Sequence, residues 1–149
     1  MDEYIAAISL IERLHRSFLK VVKIELERAA IHDVNAVQAV MLFNIGDAEI
    51  AVGELTACNC YLGSNVSYNL GKMIDNGYVD QTQSPHDRRS HLVKLTQKGQ
   101  SMHRLIKKMH RRHAERLQRL LPAQSLENAT ATLTRLERLW DHEAHRATV

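Results

Sequence analysis

The stretch ELTACNCYLGSNVSYNLGKMIDNGYVDQTQSPHDRRSHLVKLTQKG, Glu54 to Gly99, spells two short helices, a strand, a turn rich in Pro, Asp and Arg, and a returning strand. In the second helix, over about 62–76, Val66, Leu70 and Met73 recur at four- and three-residue steps, which places them on one core-facing side. Ser64, Tyr68, Lys72 and Asp75 then project the other way, with Asn65, Ser67 and Asn69 on the flanks. Gly77 suits the C-terminal cap of that helix. Tyr78 to Thr82 alternates as a strand, Ser84 to Arg89 turns the chain, and His91 to Leu95 brings it back.

Those side chains have a chemistry in common. Hydroxyl and amide groups near a helix start match the hydrogen-bonding edges of bases: Asn can pair with adenine, Ser can donate or accept, and Lys72 suits phosphate. At the hairpin tip, Arg88 and Arg89 would be drawn to the negative potential of a narrow minor groove, with Asp87 placed to orient one guanidinium. The expectation is a helix over 62–76 in the major groove and a wing over 80–94 in the minor groove of double-stranded DNA. Plainer readings stand beside it. Ser64 or Ser67 can simply cap or solvate the helix, and an arginine pair can be an ordinary surface turn. Gly71, inside the helix, points to close approach by another backbone or to plain tolerance of a glycine there.

Outside this module the chain is helical. From Glu3 to about Ile31 there is no Gly or Pro, and Ile5, Ile8, Ile11, Leu14, Phe18, Val22 and Leu26 keep helical spacing. Asn35 is placed to cap a second helix running to about Ile45, which Gly46 ends. Residues 49–52 read as a brief strand, and Gly53-Glu54 opens the next short helix. After the hairpin, Thr96 caps a long helix that stops at Leu121-Pro122, and the last helix carries a seam of Leu126, Ala129, Leu133, Leu136 and Trp140. The fold class is therefore mostly α with a small β-hairpin wing, a winged helix-turn-helix flanked by N- and C-terminal dimerisation helices. By segment, 1–34 is the N-terminal dimerisation helix, 35–99 the DNA-binding module and 100–149 the C-terminal dimerisation helices.

Charge follows the same division. The net charge of +3 hides a split: residues 1–57 carry 5 basic and 9 acidic side chains, whereas 100–121 carry 7 basic and 1 acidic. Cations gather in the hairpin module and the helix leaving it, as phosphate contact requires, although a basic helix face is also what a merely solvated helix shows. No apolar run is long enough to span a bilayer and the N-terminus lacks the basic start of a secretory signal, so a cytoplasmic protein without membrane contact is expected.

The combination E-L-x(10)-V-S-x-x-L-x-x-M-x-x-x-G-x-V (Glu54, Leu55, Val66, Ser67, Leu70, Met73, Gly77, Val79), with D-R-R at Asp87 to Arg89 and L-T-x-K-G at Leu95 to Gly99, resembles the MarR family of winged helix-turn-helix transcription factors. Residues 35–46 and 61–70 further resemble a branch that includes the L,D-transpeptidase regulator, linked to cell-wall and osmotic stress. The resemblance implies a homodimer on a pseudo-palindromic operator, acting as a repressor that a small aromatic or phenolic effector releases. It places Ser64, Asn65, Ser67, Tyr68 and Asn69 on the recognition helix and Arg88 and Arg89 on the wing. One departure matters: many relatives carry Arg near the start of that helix where this chain has Gly63.

Other functions have weaker signals. Cys58 and Cys60 precede the reading helix and offer a candidate redox switch, yet no neighbouring Lys or Arg is present to activate either thiol. His110-x-x-His113 and His142-x-x-His145 each put two imidazoles on one helical face, but no third or fourth metal ligand is identifiable, and no cofactor is expected. No nucleophile elbow, phosphate loop or zinc-protease motif occurs, so the chain is not read as an enzyme. The alternative is a helical protein–protein adaptor, or a metal- or redox-responsive sensor on the same fold.

Overall fold

The computed structural model describes residues 1–58 and 63–146, with the side chains of 57, 58, 63 and 64 outside that description. Its elements run α1 (Asp2–Arg28), α2 (Ala36–Ile45), β1 (Ile50–Ala51), α3 (Val52–Cys58), α4 (Gly63–Asp75), β2 (Val79–Gln83), β3 (His91–Leu95), α5 (Gln97–Leu120) and α6 (Ala123–Arg146). The mostly helical chain with a β-hairpin wing is the architecture expected from sequence. It divides into two compact units, Met1–Met109 and His110–Val149.

In the first unit the helix ends are written in side chains and in backbone sign. Asn35 caps α2 reciprocally: its Oδ1 accepts the Gln38 N–H at 2.9 Å, while Gln38 Oε1 accepts the Asn35 N–H at 3.0 Å. Gly46 closes α2 at φ 68°, ψ −152°, a conformation open essentially to glycine. At the end of α4, Tyr78 N–H reaches Met73 O at 2.9 Å and Gly77 N–H reaches Ile74 O at 2.9 Å, with Gly77 at φ +73°. This paired arrangement needs a left-handed residue just past the helix. The same pair of bonds ends α1, from Ile31 to Leu26 and from Ala30 to Glu27, but there the left-handed residue is Ala30 at φ 54°.

The sheet has the order β1-β3-β2 and is antiparallel throughout. Val79 faces Leu95 and Gln83 faces His91 across the wing, and Ile50 faces Val93 on the other edge. Pairing of β1 with β3 turns the expected hairpin into a three-stranded sheet rooted beside α3. The core of this unit includes Met41, Leu42, Leu55, Val66, Met73 and Ile106, all fully buried. Val66, Leu70 and Met73 thus face inward as their spacing predicts, and Val22, Glu25 and Leu26 seat the C-terminal half of α1.

At Gly71 the first of the two readings is corrected. A Cβ built there meets nothing within 4 Å among the described residues, which leaves plain tolerance of the glycine. The glycine whose missing side chain matters is Gly99, where a Cβ would overlap the Tyr78 carbonyl and sit 3.1 Å from Leu95.

Among the described residues, exposed apolar side chains include one group near the N-terminus and another in the second unit. Near the N-terminus Ile5, Leu10 and Leu14 are 45–56% exposed. In the second unit α6 has no buried residue, and the turn from α5 into α6 forms an apolar groove of about 590 Å³ lined by Leu117, Leu121, Pro122, Ala123 and Leu126. No helix among the described residues is long and apolar enough to cross a membrane.

The two left-handed caps give opposite predictions. Gly77→Ala strains the end of α4 and lowers stability by about 1 kcal/mol, whereas Ala30→Gly relieves the same strain in α1 and raises stability by about 0.5–1 kcal/mol. Urea unfolding of both variants checks this; equal signs would refute the assignment.

Candidate nucleic-acid interface

With Val66, Leu70 and Met73 anchored, the opposite side of α4 is fixed. Asn65, Ser67, Tyr68, Lys72 and Asp75 are exposed, Tyr68 by 66%. The Lys72 ammonium lies 6.0 Å from the Tyr68 ring centroid, the outer limit of a cation–π contact. Ser64 belongs to the same helix, but its side chain lies outside the described residues. Asn69 is placed differently from its neighbours. It is half-buried, its Oδ1 accepts from Gln38 Nε2 at 3.2 Å, and its Nδ2 donates to Asn65 O at 2.8 Å.

The wing between β2 and β3 exposes Pro85, His86, Asp87, Arg88 and Arg89. Its backbone is internally tied: Ser84 N–H to Ser90 O at 2.9 Å, Ser90 N–H to Asp87 O at 3.0 Å, and Gln83 Nε2 to Arg88 O at 2.7 Å. Asp87 Oδ1 accepts the Arg89 backbone N–H at 2.9 Å, the reach expected of a short carboxylate two residues upstream. Asp87 therefore shapes the wing tip, which in turn sets where the arginines begin.

Helix and wing meet at a cleft of about 510 Å³. Ser67 and Gly71 of α4 line one wall and Gln81, Arg89 and His91 of the sheet line the other. Gly71 opens this cleft by lacking a side chain. The arrangement sets a polar helix face and an arginine-bearing hairpin side by side, hydrogen-bonding groups on one wall and a cation on the other.

A MarR family model matches residues 32–90, from just before the α2 cap to the turn between β2 and β3. The exopolysaccharide II synthesis transcriptional activator ExpG of Rhizobium meliloti (strain 1021) is 34% identical over 146 residues, which cover 95% of this chain and 73% of that protein. The chain belongs to the MarR family of transcriptional regulators. Solved structures share the fold at low identity. FabT of Streptococcus pneumoniae, in complex with DNA, superposes with a TM-score of 0.75 at 20% identity, covering 93% of this chain and 98% of that one. A mutant of MarR from E. coli, complexed with operator DNA, gives 0.73 at 22% identity, covering 91% and 95%. The transcriptional regulator SlyA gives 0.79 at 11% identity, covering 92% and 95%.

In this MarR-family chain the L-T-x-K-G motif acquires a physical meaning that spacing alone withheld. Lys98 Nζ donates to Asp33 Oδ2 at 2.6 Å and to Asn76 O at 3.0 Å, and sits 4.1 Å from the Tyr78 ring centroid. The Tyr78 hydroxyl donates to the other oxygen of Asp33 at 2.7 Å, and Asn76 Nδ2 donates to the Asp33 carbonyl. Thr96 Oγ1 caps α5 by accepting the Gly99 N–H at 3.1 Å while donating to Gly77 O at 2.7 Å. One cluster thereby ties the segment before α2, the exit of α4 and the entry of α5. Lys98 holds the Asp33 carboxyl below its ordinary range, with the tyrosine bond adding to the effect against partial desolvation. Burial, and then the bond to Asp33, push the Tyr78 hydroxyl well above its usual range.

The remaining sensor candidates divide. Cys60, and the side chain of Cys58, lie outside the described residues. His110 is pulled below its ordinary pKa, first by burial and then by His113 one turn on. Among the described residues no group of three or more metal-ligating side chains gathers. His103 went unremarked in the sequence: it is buried, stacks on Phe43 at 5.0 Å between centroids, and places Nδ1 3.2 Å from the Phe43 carbonyl, joining α5 to α2.

Because Asp33 is depressed in the folded state, its contribution to stability is complete at neutral pH and is lost as pH falls below about 4 toward the folded value. Urea unfolding between pH 7 and pH 3 should show a steeper loss in wild type than in Asp33→Asn, which is less stable at pH 7. Parallel curves would remove Asp33 from the acid response.

Proposed function

We propose that two copies of this chain form a homodimer that reads a pseudo-palindromic operator in double-stranded DNA. In this reading α4 enters the major groove with Ser64, Asn65, Ser67, Tyr68 and Asn69 toward the bases and Lys72 toward phosphate. Arg88 and Arg89 reach the adjacent minor groove, on a wing whose tip Asp87 braces. Residues 35–99 form the reading module. The flanking segments 1–34 and 100–149 pair the copies through the exposed Ile5, Leu10 and Leu14 and the uncovered side of α6, and half-sites then lie about one helical turn apart, ~10 bp.

The observation that carries this reading is the cleft shared by Ser67 of α4 and Arg89 of the wing, which sets a base-reading face and a groove-seeking cation next to one another. Support comes also from the solved FabT and E. coli MarR structures, which contain DNA and share the fold. Action on DNA implies a cytoplasmic protein.

The targets we propose are envelope genes. The relative from Rhizobium meliloti is named as an activator of exopolysaccharide II synthesis, and residues 35–46 and 61–70 resemble the L,D-transpeptidase regulator branch. Repression follows where the operator overlaps a promoter, and activation where it lies upstream. A small aromatic or phenolic effector, as the family resemblance implies, would shift the dimer away from its DNA-competent spacing.

Fluorescence anisotropy on the promoter nearest the coding gene tests the reading. Arg88→Ala with Arg89→Ala should lower affinity by roughly tenfold or more at moderate salt and make the salt dependence shallower. Unchanged affinity in that double variant, or a monomer by analytical ultracentrifugation, would overturn it.

A further inference from the structure

Two side-chain amides connect α2 to the reading helix, and each could be turned over without changing its shape. Backbone groups at the ends of the connection decide which way both face. At one end stands the Asn35 N–H, which can only donate. At the other stands the Asn65 carbonyl, which can only accept. Gln38 Oε1 takes the Asn35 N–H at 3.0 Å, so its Nε2 is the atom turned toward Asn69, donating to Oδ1 at 3.2 Å. Asn69 Nδ2 then donates to Asn65 O at 2.8 Å. Reversing either amide would set oxygen against oxygen or N–H against N–H.

We propose that Gln38 is a positioning residue for operator reading, fixing the Asn69 amide in one of its two orientations before this side chain meets DNA. The proposal rests on α4 being the reading helix. Gln38 is only 6% exposed, so it cannot release Asn69 and turn to water without leaving a buried amide unsatisfied. With one Oδ1 lone pair taken by Gln38 and one Nδ2 hydrogen held by Asn65 O, one Nδ2 hydrogen and one oxygen lone pair stay open to a partner. What the relay fixes is which side of the amide carries each of them, and so which base edge Asn69 can match at the position it faces.

Gln38 also belongs to the α2 capping box, so a truncation mixes two effects. Gln38→Glu separates them. One carboxylate oxygen still accepts the Asn35 N–H and preserves the cap, while the other opposes Asn69 Oδ1 and breaks the relay. The experiment selects duplexes from a randomised library with wild type, Gln38→Glu, Gln38→Ala and Asn69→Ala, each checked by thermal unfolding. Affinity is then measured for the wild-type-selected duplex and for a scrambled duplex.

Gln38→Glu should stay folded near the wild-type midpoint and lose roughly tenfold in the ratio of selected to scrambled affinity, with one base position relaxing in the selected sequences. The ratio corrects for the added negative charge, and Gln38→Ala supplies a charge-free control. In an Asn69→Ala background neither Gln38 change should alter the ratio further. Unchanged selected sequences in both Gln38 variants, or losses in the ratio that multiply with Asn69→Ala, would overturn the positioning role alone. Should wild type itself enrich no sequence, the DNA-reading assignment falls, and the role of Gln38 with it.

Discussion

Three segments that are distant in sequence meet at the Lys98 ammonium: the approach to α2 at Asp33, the exit of α4 at Asn76 and Tyr78, and the first turn of α5. Lys98 and Asp33 are each roughly half exposed, and such an ion pair contributes little by itself. Its consequence comes from the groups it organises. The carboxylate also receives the Tyr78 hydroxyl, and Gly99 must be glycine because the Tyr78 carbonyl occupies the space of a Cβ. The exit angle of α4 is therefore set by α5 as much as by its own cap, and the polar face of α4 is aimed by contacts made on its other side.

The same logic runs through the wing. A hairpin tip is intrinsically loose, yet this one is tied by Asp87 to the Arg89 N–H, by Gln83 to the Arg88 carbonyl and by Ser84 to the Ser90 carbonyl. Ordering the backbone before a partner arrives reduces the entropy lost when the arginines engage it.

Much of this architecture was legible in the residues. Helical spacing gave α1, α2, α4 and α5 to within a few positions, Asn35 and Thr96 announced two helix starts, and Val66, Leu70 and Met73 fixed the buried side of α4. Less legible was the division of labour among similar polar side chains. Asn65 and Asn69 look alike in sequence, yet one is exposed and the other is enclosed by Gln38, thirty-one residues earlier. Gly71 and Gly99 likewise exchanged significance: the first faces an open cleft and the second a carbonyl.

The sequence by itself determined the elements, their order, the inward face of the reading helix and the cationic turn that follows it, because periodicity, caps and turn residues act over a few positions. Only the tertiary structure decided that β1 completes the wing's sheet, that Lys98 is engaged by Asp33, and that the Asn69 amide is oriented by Gln38. Those outcomes depend on pairs of groups brought together across dozens of residues, and a hydrogen bond has no signature in sequence until both of its ends have been placed.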